Sequence, residues 1–369
     1  MTIADVGMLD DLRDATRGFL AKHGDEQAVR AGFQGPTDRS LWTAMTSNLG
    51  VQSIGIPERF GGDGGGLPEL RVVLEETGRA LAPAPFLSTA VLVPSALLAS
   101  GDDAACADYL PSLAAGTSTA TLAAVETAGS WDATGWATVA EPGRDGWRLS
   151  GRKAFVLDGS DADLVLVFAR TSQGLSLFAV EPAAEGVVRT TMDSLDLSRP
   201  LAQITFADTP ARLIGEDGAA DVILARLLDT ARIALAAEAL GGADHCLQLS
   251  VDYARTRVQF GRPIGSFQAI KHQCADMFLE LEAARAALTA AASASTHRPL
   301  DVPLLAAVAF ASSARAYFQI ADSTIHVHGG IGFTWEHPAH LYYRRAKSIE
   351  LFLGGPIFDA EAVLAALGV

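Results

Sequence analysis

The chain has 369 residues, a formal net charge of −15, 49% hydrophobic residues and 19% charged residues. This composition suits packed globular units rather than a disordered chain, and the acidity disfavours a phosphate backbone, so no nucleic-acid partner is expected. The three cysteines, Cys106, Cys246 and Cys274, are far apart, which argues against a disulfide framework or a zinc site and fits a reducing, cytoplasmic setting.

The opening MTIADVGMLDDLRDATRGFL has no basic cluster ahead of an apolar run, so no signal peptide is expected. Over residues 1–115 the apolar spacing is helical. Met8, Leu9, Leu12, Phe19 and Leu20 share one face; Leu70, Val73 and Leu74 share another, with Glu75 and Glu76 expected toward solvent. Between them GIPERFGGDGGG (55–66) is too glycine-rich for a helix. Ala80 to Gly101 is uncharged over 22 residues, but Pro83, Pro85 and Pro94 favour a loop and a buried helix over a membrane span.

Residues 116–217 read as strands. WRLSGRKAFVLDG (147–159) alternates in part, with Ser150-Gly151 and Asp158-Gly159 as turn signals; DLVLVFAR, LSLFAVEP, GVVRTT and LAQITFADTP follow. Over 218–369 three long alanine-rich stretches indicate close-packed antiparallel helices. Strands grouped between two helical regions indicate an α+β chain rather than alternating βαβ units.

This order, with three motifs, resembles the acyl-CoA dehydrogenase family. IPERFGG (56–62) resembles its N-terminal loop, YARTRVQFGRPIGSFQAIKH (253–272) its most specific segment, and HVHGGIGFTWEHPAHLYYRRAK (326–347) its C-terminal one. The resemblance covers most of the chain. It implies an N-terminal helical domain, a middle β-barrel or sandwich and a C-terminal four-helix bundle, with FAD as cofactor and an acyl-CoA thioester as substrate. It also implies a dimer or dimer of dimers and an electron-transfer flavoprotein as acceptor. Arg257 is a permanent cation where an FAD pyrophosphate needs one. Phe260 can lie against the adenine, and Gln268 offers an amide to its polar groups. Gly329 and Gly330 let the backbone approach the same pyrophosphate with no Cβ between. His326 replaces the usual glutamine and can still donate a hydrogen bond. The resemblance implies that both segments serve an FAD held mainly by a neighbouring subunit. A metal site is not expected, because His326 and His328 have no further ligands nearby in sequence.

The departures from the family bear on the chemistry. The flavin-facing loop corresponds to AVETAGSWD (124–132), which keeps Gly129 and Ser130, the latter a candidate substrate contact. Phe155 replaces a tryptophan as an apolar wall, and Leu157 stands where a hydroxyl usually bonds the flavin ring. These enzymes remove a proton from the thioester Cα while a hydride leaves Cβ for the flavin, so a carboxylate is needed beside Cα. Aligned through residues 344–347, the usual glutamate falls on Leu353; the alternative position on the long helix falls on Ala231. Neither can take a proton. Glu238 lies seven residues after Ala231, on nearly the same helix face about 10 Å further along. Its apolar neighbours make it the candidate base. Glu350 sits at the wrong phase. Arg232 matches an arginine on the CoA side in relatives and is a substrate-binding candidate.

Three functions fit. One is an FAD-dependent acyl-CoA dehydrogenase for a bulky, steroid- or branched-type acyl group, for which Ala231, Ala234, Ala237, Gly241 and Gly242 would leave room. Another is a catalytically incomplete subunit of a hetero-oligomer that completes a partner's FAD site. The third is a flavin-dependent oxidase or monooxygenase on the same fold. Partner dependence separates the first two, and oxygen consumption marks the third. A half FAD site needs its neighbour, so a homo- or hetero-oligomer is expected in every case.

Overall fold

The computed structural model describes residues 3–367 apart from 25, 34–38, 145 and 182. The N-terminal layer holds α1 (Ile3–His23), α2 (Glu26–Ala31), α3 (Ser40–Asn48), α4 (Leu67–Arg79), α5 (Val93–Ser100) and α6 (Asp103–Ala114). The glycine-rich stretch forms no α-helix; it holds only a short 3-10 turn, Glu58–Phe60. The uncharged segment makes a turn and then one helical run, Leu87–Ser100, whose first six residues are π-wound. That run is shorter than the roughly 20 residues a bilayer span needs.

Glu75 and Glu76 differ from expectation. They are 3% and 2% exposed, because α1 packs over their side of α4. Arg13 Nη1 lies 2.6 Å from Glu75 Oε2, and Arg17 Nη2 lies 2.8 Å from Glu76 Oε1. The apolar stripe marks only the face that meets hydrophobic neighbours; arginines on a second helix allow the acidic face to be buried too.

The middle region contains β1 (Ala120–Ala123), β2 (Val139–Gly143), β3 (Gly146–Leu157), β4 (Leu164–Arg170), β5 (Leu175–Val180), β6 (Val187–Met192) and β7 (Leu201–Ile214). Pairing runs β2–β3–β7–β5–β4 antiparallel and returns from β4 to β2 through Val139 and Arg170, which closes a barrel. β1 lies parallel to β4, and β6 pairs with β7. Leu149, Val165, Val167, Phe178 and Ile204 fill the interior. Ser150-Gly151 is not a turn. β3 continues through it with a register slip, and Gly151 takes φ 148° against Thr138, where a Cβ has no room. A second slip between Lys153 and Val156 puts Phe155 at φ 55° and turns it outward.

The C-terminal region contains α7 (Ala220–Thr256), a small hairpin of β8 (Val258–Gln259) and β9 (Arg262–Pro263), α8 (Gln268–His297), α9 (Val302–His328), α10 (Ala339–Phe352) and α11 (Pro356–Leu367). Among the described residues one segment, Pro299–Phe333, is long and apolar enough to cross a membrane by length and composition; 56% of its apolar window is buried. Phe310, Tyr317 and Ile320 of this segment lie in the bundle core.

α4 crosses α7 so closely that a Cβ on Gly78 would overlap the Glu238 backbone, and one on Gly241 the Glu75 backbone. Only glycine permits that approach. Gly242 faces the Tyr317 ring, and Ala231, Ala234 and Ala237 belong to the buried core. Gly241 and Gly242 therefore serve helix packing, and the space beside them is taken by α4 and by Tyr317 of α9.

Candidate active site and cofactor half-site

The expected cofactor residues gather at one end of the bundle. Tyr253 near the end of α7 stacks on His328 at the end of α9, with ring centroids 4.4 Å apart. This contact sets the 257–268 and 326–333 segments side by side. Arg257 caps α7 and is exposed; its guanidinium has no partner among the described residues. Phe260 and Gly261 form the two-residue loop of the β8–β9 hairpin with φ 52° and 78°, which suits a type I′ turn. Phe260 is 91% exposed. Gln268 opens α8 and is exposed, and His326 is exposed with Nδ1 3.0 Å from Asp322 O. Added Cβ atoms at Gly261, Gly329 or Gly330 would meet nothing within 4 Å. An unpaired guanidinium and two unobstructed glycines on adjoining segments suit a pyrophosphate, and among the described residues nothing lies within 4 Å of a Cβ at either glycine.

The chain's own cleft lies between the barrel and the end of α10. A cavity of about 330 Å³ is lined there by Gly129, Phe155, Met192, Lys347 and Leu351, with Trp131 and Phe352 forming its inner wall. It is large enough to admit a planar ring system. Ser130 is exposed beside it, and its Oγ accepts the Asp132 N–H at 3.0 Å. Leu353, on which the sequence reading sets the base position, is fully buried. Deeper in the cleft, Trp131 is 7% exposed; its Nε1 donates to Phe352 O at 2.8 Å, and the two rings lie 6.1 Å apart. The space left between Ser88, Leu92, Phe155, Leu157 and these two rings is about 20 Å³, room for about one water molecule and too little for an acyl chain.

The loop carrying Trp131 is braced. Trp136 Nε1 donates to Ser130 O at 3.0 Å, and Glu126 accepts the N–H groups of Ala137 and Thr138 at 2.9 and 2.8 Å. Lys153 is fully buried, 3.1 Å from Glu126 and 4.5 Å from the Trp136 ring centre. Burial pushes the Lys153 ammonium down to about 8, against the pull of Glu126. Burial works against charge on Glu126 as well, but the backbone donors, Thr138 and Lys153 hold its carboxyl below the ordinary range.

Glu238 lies elsewhere. It is 6% exposed and ion-paired with Arg199 of the segment between β6 and β7. It lines a separate cavity of about 100 Å³ with Asp158, Ser198 and Arg345. Arg345 Nε is 2.5 Å from Asp196 Oδ2, and its Nη2 donates to Ser198 Oγ at 2.8 Å. Burial opposes charge on Asp196, yet Arg345 and Arg199 keep its carboxyl below the usual value. Burial raises the Asp158 carboxyl, although Ser88 donates to it at 2.5 Å. Arg232 is nearly buried and pairs with Asp229 on its own helix at 3.1 Å. The structure thus puts the six residues expected to serve a cofactor at the bundle end and Phe155 in the cleft, and places Glu238 and Arg232 in neither group. Among the described residues no cluster of three or more His, Cys, Asp or Glu side chains could hold a metal.

Sequence reasoning missed Trp131, Asp196, Arg199 and Arg345. A bulky indole in a loop otherwise made of small residues was the available signal for Trp131. For the others, adjacent charges in DLSRP and RRAK gave no indication of burial, because their partners lie 39 and 149 residues away.

Family models for the acyl-CoA dehydrogenase N-terminal, middle and C-terminal domains match residues 9–117, 121–209 and 217–356. The chain is 36% identical over 350 residues to the acyl-CoA dehydrogenase IpdE2 of Mycobacterium tuberculosis, covering 94% of this chain and 92% of that protein. Among solved structures it resembles a variant of the Tcur3481–Tcur3483 steroid ACAD, with TM-score 0.88, 34% identity and 98% of each chain covered. It also resembles a chain of the ChsE4–ChsE5 complex of Mycobacterium tuberculosis, with TM-score 0.89 and 30% identity, covering 100% of this chain and 98% of that one.

Proposed function

The chain belongs to the acyl-CoA dehydrogenase family, flavin-dependent oxidoreductases acting on CH–CH bonds, and from that premise we propose that it works as the base-less subunit of a two-chain enzyme. The observation that carries this reading is the buried Leu353 at the position aligned with the base, next to a space that Trp131 and Phe352 narrow to about the size of one water. Proton removal from Cα needs a group that can accept the proton, and leucine cannot. In this reading the chain lends Arg257, Phe260, Gln268, His326, Gly329 and Gly330 to an FAD whose reacting ring lies against a related chain that carries the glutamate. FAD supplies hydride acceptance when bound. Arg257 would hold its pyrophosphate, the paired glycines would give that group close backbone approach, and Phe260 would cover the adenine. Phe155 remains an apolar wall for a ring in this chain's own cleft, and Ser130 a polar contact at its mouth. Likeness to a steroid ACAD and to a chain of a two-component complex supports a bulky, steroid-type acyl-CoA and a mixed oligomer. An electron-transfer flavoprotein is the acceptor that family membership supports.

A second reading keeps catalysis on this chain, with Glu238 as base and Arg232 on the CoA side. The burial of Glu238 beside a cavity favours it; its commitment to Arg199 and its separation from the Phe155 cleft weigh against it. Flavin content decides between the two. Co-expression with a base-carrying relative should give about one reducible FAD per pair of chains, and this chain alone should hold little. A full complement of reducible FAD on this chain alone would overturn the proposal.

A further inference from the structure

We propose that Trp131 is a plug that shuts this chain's own acyl slot and so determines which slot of the assembled enzyme receives the thioester. This rests on the reading that catalysis belongs to the partner chain.

The acyl carbons of a bound thioester must lie between the base position and the strand that walls the flavin. Here those are the end of α10, at Phe352 and Leu353, and β3 around Phe155. The indole of Trp131 enters that interval from the barrel side. Its N–H is fixed to the Phe352 carbonyl, one residue before the base position. Two aromatic rings and one hydrogen bond thereby join the barrel to the bundle where a substrate would separate them. A freely hinged loop could swing such a plug aside, but this one is tied at both flanks. Glu126 binds the backbone at 137–138, and Trp136 binds the Ser130 carbonyl. Arg170 Nε donates to the Trp136 carbonyl at 3.1 Å. The bracing Lys153–Glu126 pair is buried behind the loop, where removing either partner is costly. The plug is therefore part of the rigid barrel, and opening the slot requires shortening the side chain.

A closed slot has a defined consequence for recognition. The CoA part of a ligand can still meet the surface, but the acyl part gains nothing from burial. Each buried methylene is worth about 0.8 kcal/mol, so an open slot should favour octanoyl-CoA over free CoA strongly and a plugged slot should not.

The test measures affinities for octanoyl-CoA and for free CoA by calorimetry on the full chain supplied with FAD. Wild type should bind the two alike. Trp131→Ala should prefer octanoyl-CoA by tenfold or more, about the gain from burying two methylenes. Trp131→Phe, which still fills the slot, should behave as wild type. Phe352→Ala opens the slot from the opposite wall and should show the same preference should Trp131→Ala fail to fold. A folded opened variant that prefers neither ligand, or binds neither, overturns the plug while leaving the two-chain reading intact. A wild-type chain that already prefers octanoyl-CoA and is reduced by it overturns the two-chain reading itself.

Discussion

The two halves of the site are built in opposite ways. At the bundle end, Arg257 has no partner among the described residues, Phe260 is 91% exposed, Phe333 76% and Trp335 56%. Exposed aromatic groups of this size mark a surface suited to covering by a second body. The cleft between barrel and α10 is finished internally: Leu353 is fully buried, Trp131 and Phe352 touch, and Arg345 is tied to Asp196 and Ser198. On the proposed reading the contrast separates two jobs that a self-sufficient dehydrogenase combines: lending residues to a neighbour's cofactor, and holding substrate.

Substitutions should therefore act on different observables in the two halves. The largest effect on stability should come from Arg345→Met. It leaves Asp196 charged and buried without its guanidinium, which costs on the order of 3–5 kcal/mol; chemical denaturation would show it as a lower midpoint. An unchanged midpoint would mean that the closed half is not braced by this pair.

The next effect is pH-dependent. His245 on α7 stacks on Tyr342 of α10, with centroids 4.8 Å apart, and burial followed by Arg79 pushes its imidazole down to about 4. The folded chain keeps it neutral, while the unfolded chain takes up a proton below its ordinary value near 6.5. This group's contribution is present above pH 6.5 and is lost as pH falls toward 4, by roughly 3 kcal/mol at most. His245→Gln should flatten that limb of a stability–pH curve relative to wild type. Parallel curves would remove His245 from the account.

The smallest effect on stability should come from the open half. Phe260→Ala should change the unfolding free energy of the isolated chain by no more than about 0.5 kcal/mol, because the ring is already in water. The same change should lower flavin retention in the assembled enzyme. Destabilisation of the isolated chain with no loss of flavin would reverse the assignment of the two halves.

Much of the open half was legible in the sequence. Glycines at 261, 329 and 330, an arginine at the end of a long helix and a two-residue turn are local features, and local spacing carries them. The closed half was legible only as an absence, leucine where a glutamate was expected. Its positive features join residues far apart: Trp131 with Phe352, Arg199 with Glu238, Asp196 with Arg345. The same limit applied to Glu75 and Glu76, whose burial depends on arginines of α1, and to Gly241, which makes room for α4 rather than for a ligand. Helical phase placed Glu238 inside the molecule, but the residue facing it came from the barrel.

The most direct test of the central claim is anaerobic mixing of the purified chain with FAD and a series of acyl-CoA thioesters, from butyryl-CoA to a steroid side-chain thioester, while the flavin absorbance is followed. The account predicts no bleaching by any of them until a related chain carrying the glutamate is added. Bleaching of the chain alone, abolished by Glu238→Gln in a variant as stable as wild type, would contradict it and place the base on α7.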